Sequence, residues 1–320
     1  MHKIQRALLL AVLISAFSLY HEIASPLSSV ASIGSSGSIV HVTTILLNSP
    51  IIVENDNFVL QGLGIGLTIY KANFTSQSMI FARGVSNITV RGLTLDGQIG
   101  TPSNTRGEGI RFERCTNVLI ENVEVKNVDK AGVFAADSTN LEWSNVKTYH
   151  SWTGLVLESC ANSYIHDCTV NLTDGVGIYL TDGAMSSIVA NRNVTVQNNR
   201  VFRVGDTAID VSVKNSTTKY SDGIHVVNNF VDGPNLLSHS KTPAGSGITV
   251  SRVINSEFNY NLVKNMIRPE GRAKGFWIGQ MPNITPINTY VAFNTIINCT
   301  ISMASAGKLP SSYIFGNIIG

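Results

Sequence analysis

Three segments of this chain begin alike at a nearly fixed spacing. Thr116-Asn117-Val118-Leu119-Ile120, Thr139-Asn140-Leu141-Glu142-Trp143 and Ala161-Asn162-Ser163-Tyr164-Ile165 start 23 and 22 residues apart. Each is followed by a second apolar stretch: Gly132-Val133-Phe134-Ala135, Gly154-Leu155-Val156-Leu157 and Gly177-Ile178-Tyr179-Leu180. Self-similarity at such a period marks a solenoid, in which each repeat buries its apolar face against its neighbours. The apolar runs alternate and are bounded by Gly, Asn, Asp and Ser, which predicts strands and not helices. Two or three short strands per repeat fit one coil of a parallel β-helix, an all-β fold.

Only 14% of the residues are charged, against a usual ~25%, so the polar surface is built from Asn, Ser, Thr and Gly. The 43% hydrophobic content supplies a continuous core. A net charge of +2 without any Lys/Arg run argues against a nucleic-acid partner. Residues 1–6 are basic and residues 7–20 apolar, a signal-peptide pattern too short for a membrane span. The sequence predicts a signal peptide over residues 1–25, a Ser/Gly-rich linker over 26–37 and a β-helix domain over 38–320, in a secreted or cell-surface protein. Sequons at Asn73, Asn87, Asn171, Asn193, Asn215, Asn283 and Asn298 fit a glycosylated secreted chain.

Past Gly183 the spacing loosens, with extra residues expected in turns at 184–192, 214–222, 232–245 and 268–274. One polar column is expected after the first strand of each coil: Asn122, Asn145, Asp167, Asn198 or Asn199, Asn229, Asn261, Asn294 and Asn317. Such a ladder is structural, because stacked Asn side chains satisfy turn groups. Cys115 and Cys160 hold equivalent places two coils apart, near ~10 Å at the ~4.8 Å strand spacing and beyond disulfide reach. A Cys160–Cys168 bridge across a turn stands beside the reading of small buried apolar residues. The chain stops inside a coil at residues 313–320, which predicts a partner, a self-association surface or a truncated reading frame.

The coil period, the Asn column, the Leu93-Thr94-Leu95-Asp96-Gly97 opening and the repeated Gly-x-Ile-x-Leu strands resemble the pectin-lyase-like superfamily of single-stranded right-handed parallel β-helices. The resemblance covers roughly residues 38–320. It implies a site in a groove along the outer face of one sheet, here the sheet of the Gly-x-Ile-x-Leu strands. Side chains alternate across a strand. Arg111, Phe134, Val156, Tyr179, Asp210, Thr249 and Trp277 are therefore expected outward, with Glu113, Ala136, Glu158, Thr181, Ser212, Ser251 and Gly279 one step further on the same face. Trp152, Asp174 and Asp206 are expected at the turn feeding this sheet.

That face suits a sugar polymer. Trp152, Tyr179 and Trp277 offer flat apolar faces with polar edges, and Arg111, Thr249 and Arg252 complete the substrate-binding set. Asp174, Asp206, Asp210 and Glu158 are the candidate catalytic carboxylates, since cleaving a glycosidic bond takes an acid and a base or nucleophile. Asp174 and Asp206 are expected ~5 Å apart if in register, and Glu158 and Asp210 near ~10 Å. The polygalacturonase motifs resemble Leu172-Thr173-Asp174-Gly175, Gly205-Asp206-Thr207 and Gly245-Ser246-Gly247, where the second Asp and the His of the family are replaced and the Arg-Ile-Lys motif has no counterpart. A lyase instead needs a basic group, for which Arg111, Arg252 and Lys274 lie near the groove, often with Ca²⁺ held by acids. No metal site is read from the scattered histidines. The two readings are a carbohydrate-active lyase or hydrolase acting on an acidic polysaccharide, and a non-catalytic solenoid binding glycans or proteins.

Overall fold

The computed structural model describes residues 38–41, 44–98, 107–183, 189–213, 218–234, 245–267, 273–279, 287–305 and 312–320. The expected signal peptide and linker lie outside the described residues. Every described strand pairs in parallel with the equivalent strand one coil away, in a ten-stranded and a twenty-stranded sheet. This is the single-stranded parallel β-helix read from the repeats.

Alternation builds the core. In the ten-stranded sheet the inward residues Ile110, Phe112, Leu155, Leu157, Ile178 and Leu180 are fully buried, each above its counterpart in the coil below. The twenty-stranded sheet bends within each coil at residues with positive φ, among them Asn122 (54°), Asn145 (48°), Asp167 (54°) and Asn198 (57°). Side chains other than Gly, Asn and Asp pay a steric cost there, which explains the Asn-rich turns. All four expected insertions are shorter than predicted, because the strands Val189–Gln197, Tyr220–Val227 and Lys274–Gly279 begin inside three of them and Phe230–Pro234 ends inside the fourth.

The expected polar column is two columns. Asn122, Asn145, Asp167 and Asn198 sit exposed at the bend, with Asn145 Nδ2 donating to Asn122 Oδ1 at 2.5 Å. The next position inward carries Val146 and Cys168, then Asn199, Asn229, Asn261, Asn294 and Asn317. In this inner ladder the Oδ1 of each Asn accepts both the backbone N–H and the Nδ2 of the residue below, at 2.9–3.0 Å from Asn199 to Asn317. A further Nδ2 hydrogen bond reaches a core-strand carbonyl, as from Asn261 to Val226 at 2.9 Å. Each such bond contributes about 1 kcal/mol net, and leaving one buried partner orphaned costs more.

All four cysteines are free thiols. Cys115, Ser138 and Cys160 do form one column, with the Cys115 N–H donating to Ser138 Oγ at 3.0 Å. Burial pushes the Cys160 and Cys168 thiols up to about 12, as suits inert core residues.

Candidate functional site

The outer face of the ten-stranded sheet carries the expected column in continuous register: Arg111, Phe134, Val156, Tyr179, Asp210, Thr249 and Trp277 pair one to the next. Glu113, Ala136, Glu158 and Thr181 pair two residues further along, as do Ser251 and Gly279 higher up. The column divides into two chemically different regions.

The lower region is an internally satisfied ion-pair network. Arg111 Nε donates to Glu113 Oε1 at 2.6 Å and its Nη1 to Glu108 Oε1 at 2.9 Å, while its guanidinium lies 4.5 Å from the Phe134 ring centre. Arg83 binds the other Glu113 oxygen. Burial alone would raise the Glu113 carboxyl, but the hydrogen bonds from Arg111 and Arg83 hold it below the usual carboxylate range. Glu108, which sequence reasoning missed, is buried and accepts a hydrogen bond from Ser78 Oγ at 2.7 Å. Its one legible signal is its place three residues before Arg111. Arg111 is thus already paired with protein carboxylates.

Glu158 is half-buried between the two regions. Burial, then the charge of Asp137, push its carboxyl up; Arg111 opposes this, and Asp182 and Glu113 add to it. It stands two coils and two residues from Asp210, roughly 12 Å at ordinary strand spacings, outside the ~6.5–9.5 Å of an inverting carboxylate pair. The register sets Asp206 one residue past the position over Asp174. The Gly205 N–H donates to the Thr173 carbonyl at 2.8 Å and the Asp206 N–H to the Gly175 carbonyl at 3.1 Å, so Gly205, and not Asp206, stands over Asp174.

The upper region forms a cleft of about 340 Å³ that brings together Asp206, Asp210, Thr249, Lys274 and Trp277 over a floor that includes Ser212 and Ser251. The strand Ile209–Val211 supplies Asp210, the turn before it supplies Asp206, and Lys274–Gly279 supplies both Lys274 and Trp277. The Lys274 ammonium lies 4.4 Å from the Trp277 ring centre, a cation–π contact. Gly279 makes room for this indole: a Cβ there would stand 2.9 Å from Trp277 Nε1. Asp210 is only 3% exposed.

The remaining candidates lie around this cleft. Tyr179 is one coil below Asp210 and its hydroxyl accepts a hydrogen bond from Thr181 Oγ1 at 3.0 Å. Trp152 is 52% exposed at the turn, with its indole against Gly175 of the next coil. Arg252 follows the strand Ser246–Ser251 in a left-handed conformation (φ 55°) and is 3% exposed, a buried residue and not a groove-lining one. Among the described residues no group of three or more His, Cys, Asp or Glu side chains is arranged to hold a metal. No described helix is long and apolar enough to cross a membrane.

The sequence matches the family described as right handed beta helix region over residues 78–263. No curated protein matches it. Similar solved structures include the A-module of the mannuronan C-5 epimerase AlgE4 of Azotobacter vinelandii, at 16% identity and a TM-score of 0.52 over 89% of this chain and 87% of that one. A mutant of the periplasmic alginate epimerase AlgG matches at 11% identity and 0.54, over 93% and 81%. A hyperthermoactive exopolygalacturonase from Thermotoga maritima matches at 14% identity and 0.53, over 92% and 85%. At these identities the likeness is one of fold.

Proposed function

We propose that this chain, which belongs to the right-handed β-helix family, is a carbohydrate-active protein that holds an acidic polysaccharide in the cleft over Asp210 and cleaves it as a lyase or glycoside hydrolase. The observation that carries this reading is the cleft's lining: two carboxylates, an ammonium and an indole around one space of about 340 Å³. Trp277 offers a sugar a flat apolar face. Lys274, already against that ring, meets the carboxylate of an acidic sugar. Hydrolysis would use Asp206 and Asp210, one protonating the glycosidic oxygen while the other activates water or attacks the anomeric carbon. Elimination would instead use a base to take the C5 proton beside the sugar carboxylate, with Lys274 neutralising the charge that develops there, as the C4–C5 double bond forms and the glycosidic oxygen at C4 leaves. The similar structures, two epimerases of alginate or mannuronan and an exopolygalacturonase, agree with a polymeric acidic substrate. The signal-like first residues and the periplasmic origin of one neighbour agree with work outside the cytoplasm.

The test is a depolymerisation screen on alginate, polygalacturonate and neutral glucans, read by absorbance of unsaturated uronates and by reducing ends. Unsaturated ends identify a lyase, and reducing ends alone a hydrolase. Failure to bind or cleave either acidic polymer contradicts the reading. The 3% exposure of Asp210 favours a second reading, a cleft that binds acidic glycan without turnover. Binding without product in either channel selects it.

A further inference from the structure

We infer that Trp152 is a second sugar-binding platform for the same polymer, so that the ligand is a chain of several residues running obliquely from Trp277 past the two aspartates to Trp152. This rests on the reading of the cleft as a glycan site and adds its length and direction.

The hydrogen-bond ladder at the edge of the ten-stranded sheet connects Trp152 to the cleft. The Gly175 N–H donates to the Trp152 carbonyl at 2.7 Å, and the Asp206 N–H donates to the Gly175 carbonyl at 3.1 Å. Trp152 therefore stands two coils beneath a residue that lines the cleft. Its indole is not folded into the core: the residue is 52% exposed, while Trp143 is fully buried. An exposed tryptophan on a solenoid turn has to be held if it is to serve as a surface. Gly175 does this, because the indole edge rests where a side chain would otherwise be. A Cβ on Gly175 would stand 3.3 Å from Trp152 Nε1 and 2.9 Å from the Trp152 carbonyl oxygen. Trp277 has the same arrangement with Gly279. Both tryptophans thus lie against a glycine on the flank of the carboxylates.

The spacing fixes the ligand class. Trp152 precedes the strand Thr153–Glu158 and Trp277 lies on Lys274–Gly279, with Ile178–Thr181, Ile209–Val211 and Ser246–Ser251 between them. Four coil steps at ~4.8 Å separate them by about 19 Å along the solenoid axis. A linked pyranose chain advances by about one such step per residue, so four steps between the two end sugars need no fewer than roughly five sugars. A short fragment reaches one platform, whereas a polymer or a long oligomer reaches both. Two linked weak contacts then act together, with an effective concentration set by the chain between them.

The experiment compares full-length wild type, Trp152→Ala, Trp152→Phe and Trp277→Ala by calorimetric titration. The probes are dimers and hexamers of alginate and of polygalacturonate. The expected result is that Trp152→Ala weakens hexamer binding by about tenfold, leaves dimer binding unchanged, and is largely rescued by the flat ring of Trp152→Phe. Trp152 is exposed, so the variants fold, and unchanged circular dichroism confirms it. If Trp277→Ala loses binding while Trp152→Ala binds hexamer like wild type, the second platform is refuted and the cleft reading stands. If wild type binds neither hexamer, or Trp277→Ala binds like wild type, the cleft reading fails and this inference with it.

Discussion

Asp210 and Trp277 stand in one ladder column of the ten-stranded sheet, two coils apart, with Thr249 paired to both. The parallel register thereby sets an acid and an aromatic platform on one outward line, and the turn before Asp210 brings Asp206 to the same cleft.

The first prediction follows from this arrangement. Asp206→Asn with Asp210→Asn keeps the shape of the cleft and removes its acid and base. Turnover of an acidic polymer falls by at least about 100-fold, while polymer affinity is retained. Initial rates and affinity electrophoresis on the same preparations check it. Equal loss of rate and binding would assign the two carboxylates to holding the ligand.

Gly279 is predicted to matter without touching the ligand. In Gly279→Ala the new methyl meets Trp277 Nε1, so the indole must turn away from its place beside Ser251 and Lys274. Polymer binding weakens and tryptophan emission shifts, with the thermal midpoint little changed. An unchanged emission spectrum would show that the methyl is absorbed elsewhere.

The two asparagine columns should respond differently to substitution. Asn261→Ala orphans the buried Asn229 backbone N–H, at ~1–3 kcal/mol, and removes one hydrogen bond each from Asn229 Nδ2 and the Val226 carbonyl. Asn145 belongs to the exposed outer column, with φ 48°, where glycine is at ease, and Asn145→Gly changes stability by less than about 0.5 kcal/mol. Urea unfolding midpoints distinguish the two. Equal effects would contradict the separation of inner and outer columns.

Glu158 makes stability depend on pH in a defined direction. Its carboxyl is raised, chiefly by burial and by Asp137. The folded state therefore holds this proton more tightly than the unfolded chain does. That contribution is fully present below the unfolded carboxylate pKa and is lost as pH rises through the folded one. Glu158→Gln should melt with wild type in acid, where both side chains are neutral, and a few degrees above it at neutral pH. A variant that melts below wild type at neutral pH would reverse the assignment.

The coil was legible because a parallel β-helix writes its period into the sequence, and alternation told Ile178 and Leu180 apart from Tyr179 without coordinates. What was not legible depended on a shift of one residue. Asn198 and Asn199 are neighbours of the same type, and only the bend at Asn198 decides which enters the core. Asp174 and Asp206 each follow a turn-like motif, yet Gly205 takes the place opposite Asp174, so the two aspartates lie one residue out of register. Glu113 was legible on the same face as Arg111, but Glu108, its second partner, precedes the strand and falls outside the alternating pattern.

The most direct measurement is a crystal structure of the Asp206→Asn, Asp210→Asn protein with an alginate or polygalacturonate hexamer. The expected complex has a sugar against the Trp277 indole, its carboxylate at Lys274, and the chain crossing residues 206 and 210 toward Trp152. An oligomer bound on another face, such as the outer surface around Tyr164 and His166, would contradict it.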